Sequence, residues 1–179
     1  NFWEQFLKKN ASNFRKIKRV QDVVKIFYEV QKQIPSKLLF VGDGPERSTA
    51  EDLSRELGVC DEIRFVGKQE QMEDILAIGD LFLLTSEYES FGLAALEAMA
   101  AGVPVVSTNA GGLKEIIVQG ETGFMSDVGD IDSMSKQALS ILKDNKILQS
   151  FKERAAAQAK KFDIHNIIPV YEKLYERFL

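Results

Sequence analysis

Asp80-Leu81-Phe82-Leu83-Leu84, then Glu87-Tyr88-Glu89-Ser90-Phe91-Gly92-Leu93-Ala94-Ala95-Leu96-Glu97-Ala98-Met99-Ala100, then Val103-Pro104-Val105-Val106-Ser107, is the stretch that decides the fold. Its first and third runs are short and continuously apolar, as strands buried on both faces are. Residues 91–101 between them have helical period. Strand, helix and strand joined by links of a few residues make a right-handed βαβ unit. The same pattern repeats outward. Lys37-Leu38-Leu39-Phe40-Val41-Gly42 and Ile63-Arg64-Phe65-Val66-Gly67 read as further strands, and Gly123-Phe124-Met125 as a weaker one. Helical segments run over residues 19–33, with Val20, Val23, Val24, Phe27 and Val30 on one stripe, and over 46–57, 69–78 and 113–118. The fold class is therefore α/β, a Rossmann-like doubly wound parallel sheet. Residues 131–179 form a helical C-terminal tail, expected to break at Asp163 and Pro169, which wraps the sheet or reaches toward a neighbouring domain.

The opening departs from this scheme. A doubly wound sheet normally begins with an apolar strand, whereas Lys8-Lys9-Asn10-Ala11-Ser12-Asn13-Phe14 is too polar for a central one. The expectation is that the first strand is missing or interrupted. Residues 1–11 are then a leader or the remnant of an interdomain segment, with Phe2, Trp3 and Phe6 packing on the body or on a removed neighbour. Residues 12–162 are the Rossmann-like domain, and residues 163–179 a C-terminal helix. The chain starts at Asn1 rather than Met, as a fragment or a processed chain would.

Composition narrows the function. The 179 residues are 45% hydrophobic and 28% charged, the balance of a globular domain. With 23 Lys and Arg against 27 Asp and Glu, the net charge of −4 disfavours a nucleic-acid partner but permits a local anion site. One cysteine, Cys60, and one histidine, His165, cannot form a disulfide or a Cys/His zinc cluster, so no metal ligand set is expected. Cys60 is read as structural and His165 as a capping or surface residue. No membrane span and no signal peptide are evident, so the expected location is cytoplasmic. A homo-oligomer is left open.

In open α/β sheets ligands bind beyond the carboxyl ends of the strands. After the strand ending near Leu84, Gly92 allows close backbone approach at a helix start, and the amides of Gly92, Leu93 and Ala94 would favour a phosphate. Glu89 lies before that helix and Glu97 about two turns inside it, so both carboxylates could flank one ligand. The alternative is that Glu89 helps cap the helix and Glu97 is solvated. Glu97 stands among Leu93, Ala94, Leu96, Ala98 and Ala100, however, and is expected to be buried. A second loop, residues 12–19, carries Arg15, Lys16, Lys18 and Arg19, which would neutralise a diphosphate unless they are merely a solvated charge run. Val41-Gly42-Asp43-Gly44-Pro45-Glu46 fits neither Gly-x-Gly-x-x-Gly, since Arg47 replaces the last Gly, nor a P-loop, so nicotinamide cofactors and P-loop ATPases lose support. It reads equally as a turn before a helix with Pro at its first position. Gly67 and Lys68 could offer main-chain groups to a base, and Gly111-Gly112 reads as a plain helix start.

Glu89-Ser-Phe-Gly-Leu-Ala-Ala-Leu-Glu97, followed by Ala-Met-Ala-Ala-Gly-Val-Pro-Val-Val-Ser-Thr and Gly111-Gly-Leu-Lys-Glu-Ile-Ile, closely resembles the C-terminal, donor-binding half of retaining GT-B glycosyltransferases of family 4. The resemblance covers residues 12–145. It implies a nucleotide-sugar donor, with Glu97 accepting from the ribose hydroxyls and Glu89 contacting the transferred sugar. It further implies that Ser90, Phe91, Gly92 and Leu93 hold the sugar and diphosphate, and that Lys18 with Arg15 neutralises the phosphates. The family's Gly-Arg-x4-Lys is altered, since five residues before Lys18 stands Asn13, assigned to donor binding, with Arg15 as the substitute cation. The stretch 12–24 is similar to the subfamily of N-acetylglucosaminyl-malate synthases of bacillithiol biosynthesis, which join UDP-N-acetylglucosamine to L-malate. That resemblance implies a UDP-sugar donor, a small-molecule acceptor bound by a missing N-terminal domain, front-face substitution with retention and no cofactor or metal. Little activity is expected of this chain alone. Other readings are a non-catalytic nucleotide-sugar-binding module and a UDP-sugar epimerase-like domain, because fold alone does not choose among them.

Overall fold

The computed structural model describes residues 5–69 and 72–176, so Phe2 and Trp3 lie outside the described residues. Strands and helices alternate. They are β1 (Gln5–Asn13), α1 (Val20–Gln31), β2 (Ser36–Asp43), α2 (Arg47–Glu56), β3 (Ile63–Phe65), α3 (Met72–Ala77), β4 (Leu81–Leu84), α4 (Leu93–Ala100), β5 (Val105–Thr108), α5 (Leu113–Ile116) and β6 (Gly123–Ser126). Three helices follow: α6 (Ile131–Leu142), α7 (Asn145–Ala159) and α8 (Ile164–Tyr175). The six strands lie in the order β3-β2-β1-β4-β5-β6, and each neighbouring pair is parallel. This is a doubly wound, Rossmann-like sheet whose strand order reverses between β1 and β4, and the crevice at such a switch point is where ligands bind.

The period-2 geometry of β4 divides the core. Leu81 and Leu83 join α1 and α6 in a cluster that includes Val23, Phe27, Phe40, Ala138 and Ile141. Phe82 and Leu84 face the other way, into Ala95, Met99, Val105, Leu113 and Ile116. Helix α7 contributes Leu148 and Phe151 to the first cluster and Ala155 and Ala159 to the second, so the tail does wrap the sheet.

The expected gap at the first strand is not there. Gln5–Asn13 forms the central strand, with Leu7 opposite Leu38 of β2 and Leu81 of β4. Residues 5–11 are therefore sheet rather than leader. A strand paired on both edges has its backbone groups satisfied whatever its side-chain polarity. The register with β2 shifts between Lys9 and Ser12, a local irregularity at Asn10-Ala11.

The tail also differs from expectation. Asp163 does mark a break, as the N-cap of α8 accepting from the His165 amide, but Pro169 lies inside that helix. A helical proline removes one bond to the carbonyl four residues back, here that of His165, which is exposed and open to water. The break between α6 and α7 falls at Asp144, whose side chain accepts from the amides of Lys146 and Ile147. Cys60 is an exposed free thiol rather than a structural core residue.

Candidate active site

The loops that leave β1 and β4 at the switch point are stitched together. After β1, Phe14 is fully buried, and the chain makes one 3-10 turn over Lys16–Lys18 before α1. After β4, Thr85 and Ser86 are buried. The Thr85 hydroxyl lies 2.9 Å from the Lys18 carbonyl and 3.0 Å from that of Arg19, and the Glu87 amide donates to the Ile17 carbonyl at 2.9 Å. These bonds hold the two loops side by side. Across the seam Lys18 Nζ donates to Glu89 Oε2 at 2.8 Å, both side chains being partly shielded from water. The two residues expected to serve phosphate and sugar, 71 positions apart, are thus in direct contact.

Beyond Glu89 the chain turns into α4 through Gly92. Its φ of 88 lies in the left-handed region that favours glycine, and a Cβ there would sit 2.5 Å from Leu113 Cδ2. Gly111 and Gly112 are more than a plain helix start, because they press against the backbone of residues 89–91. A Cβ on Gly111 would lie 1.7 Å from the Glu89 carbonyl oxygen and one on Gly112 2.7 Å from that of Ser90, while the Gly112 amide donates to the Glu89 oxygen at 3.2 Å. Two short segments are thus fixed by backbone contact alone.

The start of α4 is left open by this arrangement. Gly92, the N-cap, offers no side chain, and the first turn carries no acid. Among the described residues, no backbone or side-chain group accepts from the amides of Phe91, Gly92, Leu93 or Ala94. The first inward bonds are those from Ala95 and Leu96 to the Gly92 carbonyl. Such a helix start carries partial positive charge and aims its amides at whatever occupies the crevice. Phe91 and Leu93 are exposed beside it, the Phe91 ring meeting Phe162 edge to face at 6.2 Å.

Glu97 does not take the buried position expected of it. It is exposed, and it opens into a groove of about 730 Å³ between α3 and α4, lined also by Met72, Glu73, Asp74, Leu76, Ala77 and Ala100. Helix α4 buries its Ala95, Ala98 and Met99 side and turns Glu97 outward toward α3, which resolves the cost of an unpartnered buried acid. Partial desolvation, and then the nearby charge of Glu73, hold the Glu97 carboxyl above its ordinary value.

The remaining expected residues fall around this centre. Arg15 caps the 3-10 turn, is exposed and accepts from the Lys18 amide through its carbonyl. Asn13 ends β1 opposite Asp43. Ser90 is exposed at the α4 approach. Gly67, with φ 69, accepts from the Gly42 amide at 2.7 Å, which joins the end of β2 to the loop after β3, and Lys68 is exposed next to it. Gly44 packs so tightly on Phe14 that a Cβ would lie 2.4 Å from the Phe14 nitrogen. The loop after β2 is therefore a support for the loop after β1. Sequence reasoning missed one cluster. The Arg19 guanidinium donates to Asp22 and, at 3.0 Å, to Glu87, bonds that push it further above its ordinary value, Asp22 first.

The description "Glycosyl transferases group 1" matches residues 9–158. The chain belongs to that family. N-acetyl-alpha-D-glucosaminyl L-malate synthase of Bacillus anthracis is 46% identical over 167 residues, covering 93% of this chain and 44% of that protein. The chain thus spans less than half the length of this relative. Among solved structures, the C-terminal domain of a glycosyl transferase group 1 family protein from Francisella tularensis superposes with a TM-score of 0.81 at 22% identity, covering 89% of this chain and 87% of that one. Anabaena HepE in complex with UDP gives 0.85 at 25% identity, over 97% of this chain and 49% of that one. The glycosyltransferase family and its structural relatives share the expected fold, the Rossmann-like half of the GT-B architecture. Among the described residues no helix is long and apolar enough to cross a membrane.

Proposed function

We propose that this chain is the donor-binding domain of a retaining glycosyltransferase that transfers N-acetylglucosamine from UDP-N-acetylglucosamine, with L-malate as acceptor. The observation that carries the reading is the open start of α4 beside the Lys18–Glu89 pair, at the point where the strand order reverses. The similarity to the malate synthase supports the sugar and the acceptor, and the UDP-bound relative supports the nucleotide. The proposal keeps the cytoplasmic location expected from the sequence.

The chemistry follows from charge. Breaking the bond between the anomeric carbon and the diphosphate oxygen leaves both bonding electrons on UDP, while the acceptor hydroxyl oxygen bonds to that carbon on the same face and passes its proton to the departing diphosphate oxygen. Negative charge grows on the diphosphate, where the amides of Phe91, Gly92 and Leu93 and the Lys18 ammonium, supported by Arg15, stabilise it most as the bond lengthens. In this reading Glu89, held by Lys18, orients the sugar hydroxyls, and Glu97, in the α3–α4 groove, accepts from the ribose. Asn13, Ser90, Gly67 and Lys68 complete the proposed donor contacts. The acceptor is bound by the remainder of the intact protein, so this chain alone binds donor but transfers poorly.

Titration calorimetry of this chain with UDP tests the reading. Saturable binding is expected, weakened by Glu97→Ala. No saturable binding, or binding indifferent to that substitution, contradicts it.

A further inference from the structure

Arg19 joins the 3-10 turn to α1 with φ 48 and ψ 48, the left-handed region, and among the described residues it is the one non-glycine there. That region favours glycine, because a Cβ crowds the neighbouring carbonyl. If the chain needed only a bend at this point, glycine would form it with less strain. The arginine side chain must therefore contribute something that glycine lacks.

Its contacts show what that is. Nε donates to Asp22 on α1, whose side chain is only 6% exposed, and Nη1 donates at 3.0 Å to Glu87 in the loop after β4. Its other terminal nitrogen lies against Gly129, where a Cβ would stand 3.2 Å away. With both partners engaged, the guanidinium is committed to protein rather than to a phosphate. Arg19 is the residue after Lys18, and Glu87 stands two residues before Glu89. The ion pair therefore spans the same seam as the 2.8 Å contact between Lys18 and Glu89, one step behind it. Lys18 swings on a long flexible stem, so its contact with Glu89 is only as well defined as the two backbones that carry them.

We infer that Arg19 is a positioning residue: by bridging Asp22 and Glu87 it fixes the spacing of Lys18 and Glu89 across the crevice. The inference rests on the reading that this pair faces the donor, and it assigns Arg19 no contact with the donor itself. Loss of the bridge leaves the α4 amides in place and the Lys18 ammonium still able to reach the diphosphate, so UDP affinity changes little. It frees Glu89 to wander from the sugar, so turnover falls.

The test compares Arg19→Gly, Glu87→Gln and the double variant in the intact protein by UDP affinity, kcat and the rate at which Lys18 is acylated by acetic anhydride, followed by mass spectrometry. Each single variant is expected to lower kcat roughly three- to tenfold with UDP affinity held within about twofold, the double variant falling no further, as coupled partners behave. Lys18 acylation is expected to quicken in each, since a loosened contact with Glu89 leaves the Lys18 nitrogen more accessible to the reagent. Arg19→Lys is expected to restore little, because an ammonium lacks the fork that spans both carboxylates. Unchanged Lys18 acylation in both single variants, or losses of kcat that multiply in the double variant, overturns the inference. Should Arg19→Gly fail to fold with Asp22 left to Lys25, 4.0 Å away, Glu87→Gln, on the exposed side of the bridge, carries the test. The acylation readout needs no donor, so failure of the positioning role is distinguishable from failure of the sugar-transfer reading, which a wild-type protein unable to bind UDP would show.

Discussion

Gly92→Ala perturbs the start of α4 in two separable ways. The first is conformational. Holding a non-glycine residue at φ 88 costs about 1–2 kcal/mol. The second is steric: the new Cβ would lie 2.5 Å from Leu113 Cδ2 and 3.2 Å from Ile116 Cδ1. Both side chains are fully buried and have no solvent to yield into, so overpacking adds roughly 1–3 kcal/mol. The sum, roughly 2–5 kcal/mol, lowers Tm by about 4–20 °C in a chain of this size. Gly58→Ala supplies the control. Its φ of 70 imposes the first cost, but nothing stands within 4 Å of its Cβ, so a fall of only about 2–8 °C is expected. Thermal denaturation of the two variants side by side, with UDP titration of each, separates the terms. Gly92→Ala should melt lower than Gly58→Ala and should alone lose UDP affinity, because the shifted helix start misaims its amides. Equal melting points, or equal UDP affinity in the two variants, would refute the claim that position 92 is shaped for close contact and for ligand.

Two further outcomes are expected. Glu89→Gln in the intact protein should lower kcat by about a hundredfold while leaving UDP affinity near that of the parent, since Glu89 is assigned to the sugar rather than to the nucleotide; steady-state kinetics showing undiminished kcat would remove that role. Glu97, whose carboxyl is raised by desolvation and then by Glu73, makes stability fall with pH. Climbing from acid, the unfolded chain releases its proton first, so the native state is penalised progressively through the window between the ordinary and the raised value and fully above it. Glu97→Gln should therefore melt above the parent at about pH 7 and lose that advantage at about pH 4, where both states are largely protonated. A difference in Tm that is the same at both pH values would contradict the shift.

Much of the fold was legible because burial writes itself into periodicity. The apolar runs at 80–84 and 103–107 became β4 and β5, and the stripe from Val20 to Val30 became the buried face of α1, since a two-sided sheet leaves no solvent face on its central strands. The strand β1 was illegible for the opposite reason: its pairing with β2 and β4 is a backbone property that Lys8, Lys9 and Asn10 do not advertise. The site divided in the same way. Gly92 and the periodicity of the helix behind it announce an uncapped helix start through local sequence. Three features carry no local mark: the contact of Lys18 with Glu89, the seating of Gly111 and Gly112 on residues 89–91, and the left-handed backbone of Arg19. Each depends on segments that meet only when the sheet is assembled. Glu97 was misjudged because Leu96 and Ala98 adjoin it in sequence but are turned away from it around α4, while Leu93 and Ala100, its neighbours on the same face, are themselves exposed.

The central claim is that main-chain amides at the opening of α4 receive the diphosphate of the donor. Amide-resolved nuclear magnetic resonance of this chain during titration with UDP tests it most directly. The account predicts that the amide signals of Phe91, Gly92, Leu93 and Ala94 move furthest and saturate together with the signal of Lys18. UDP that binds while those four amides stay still would contradict it.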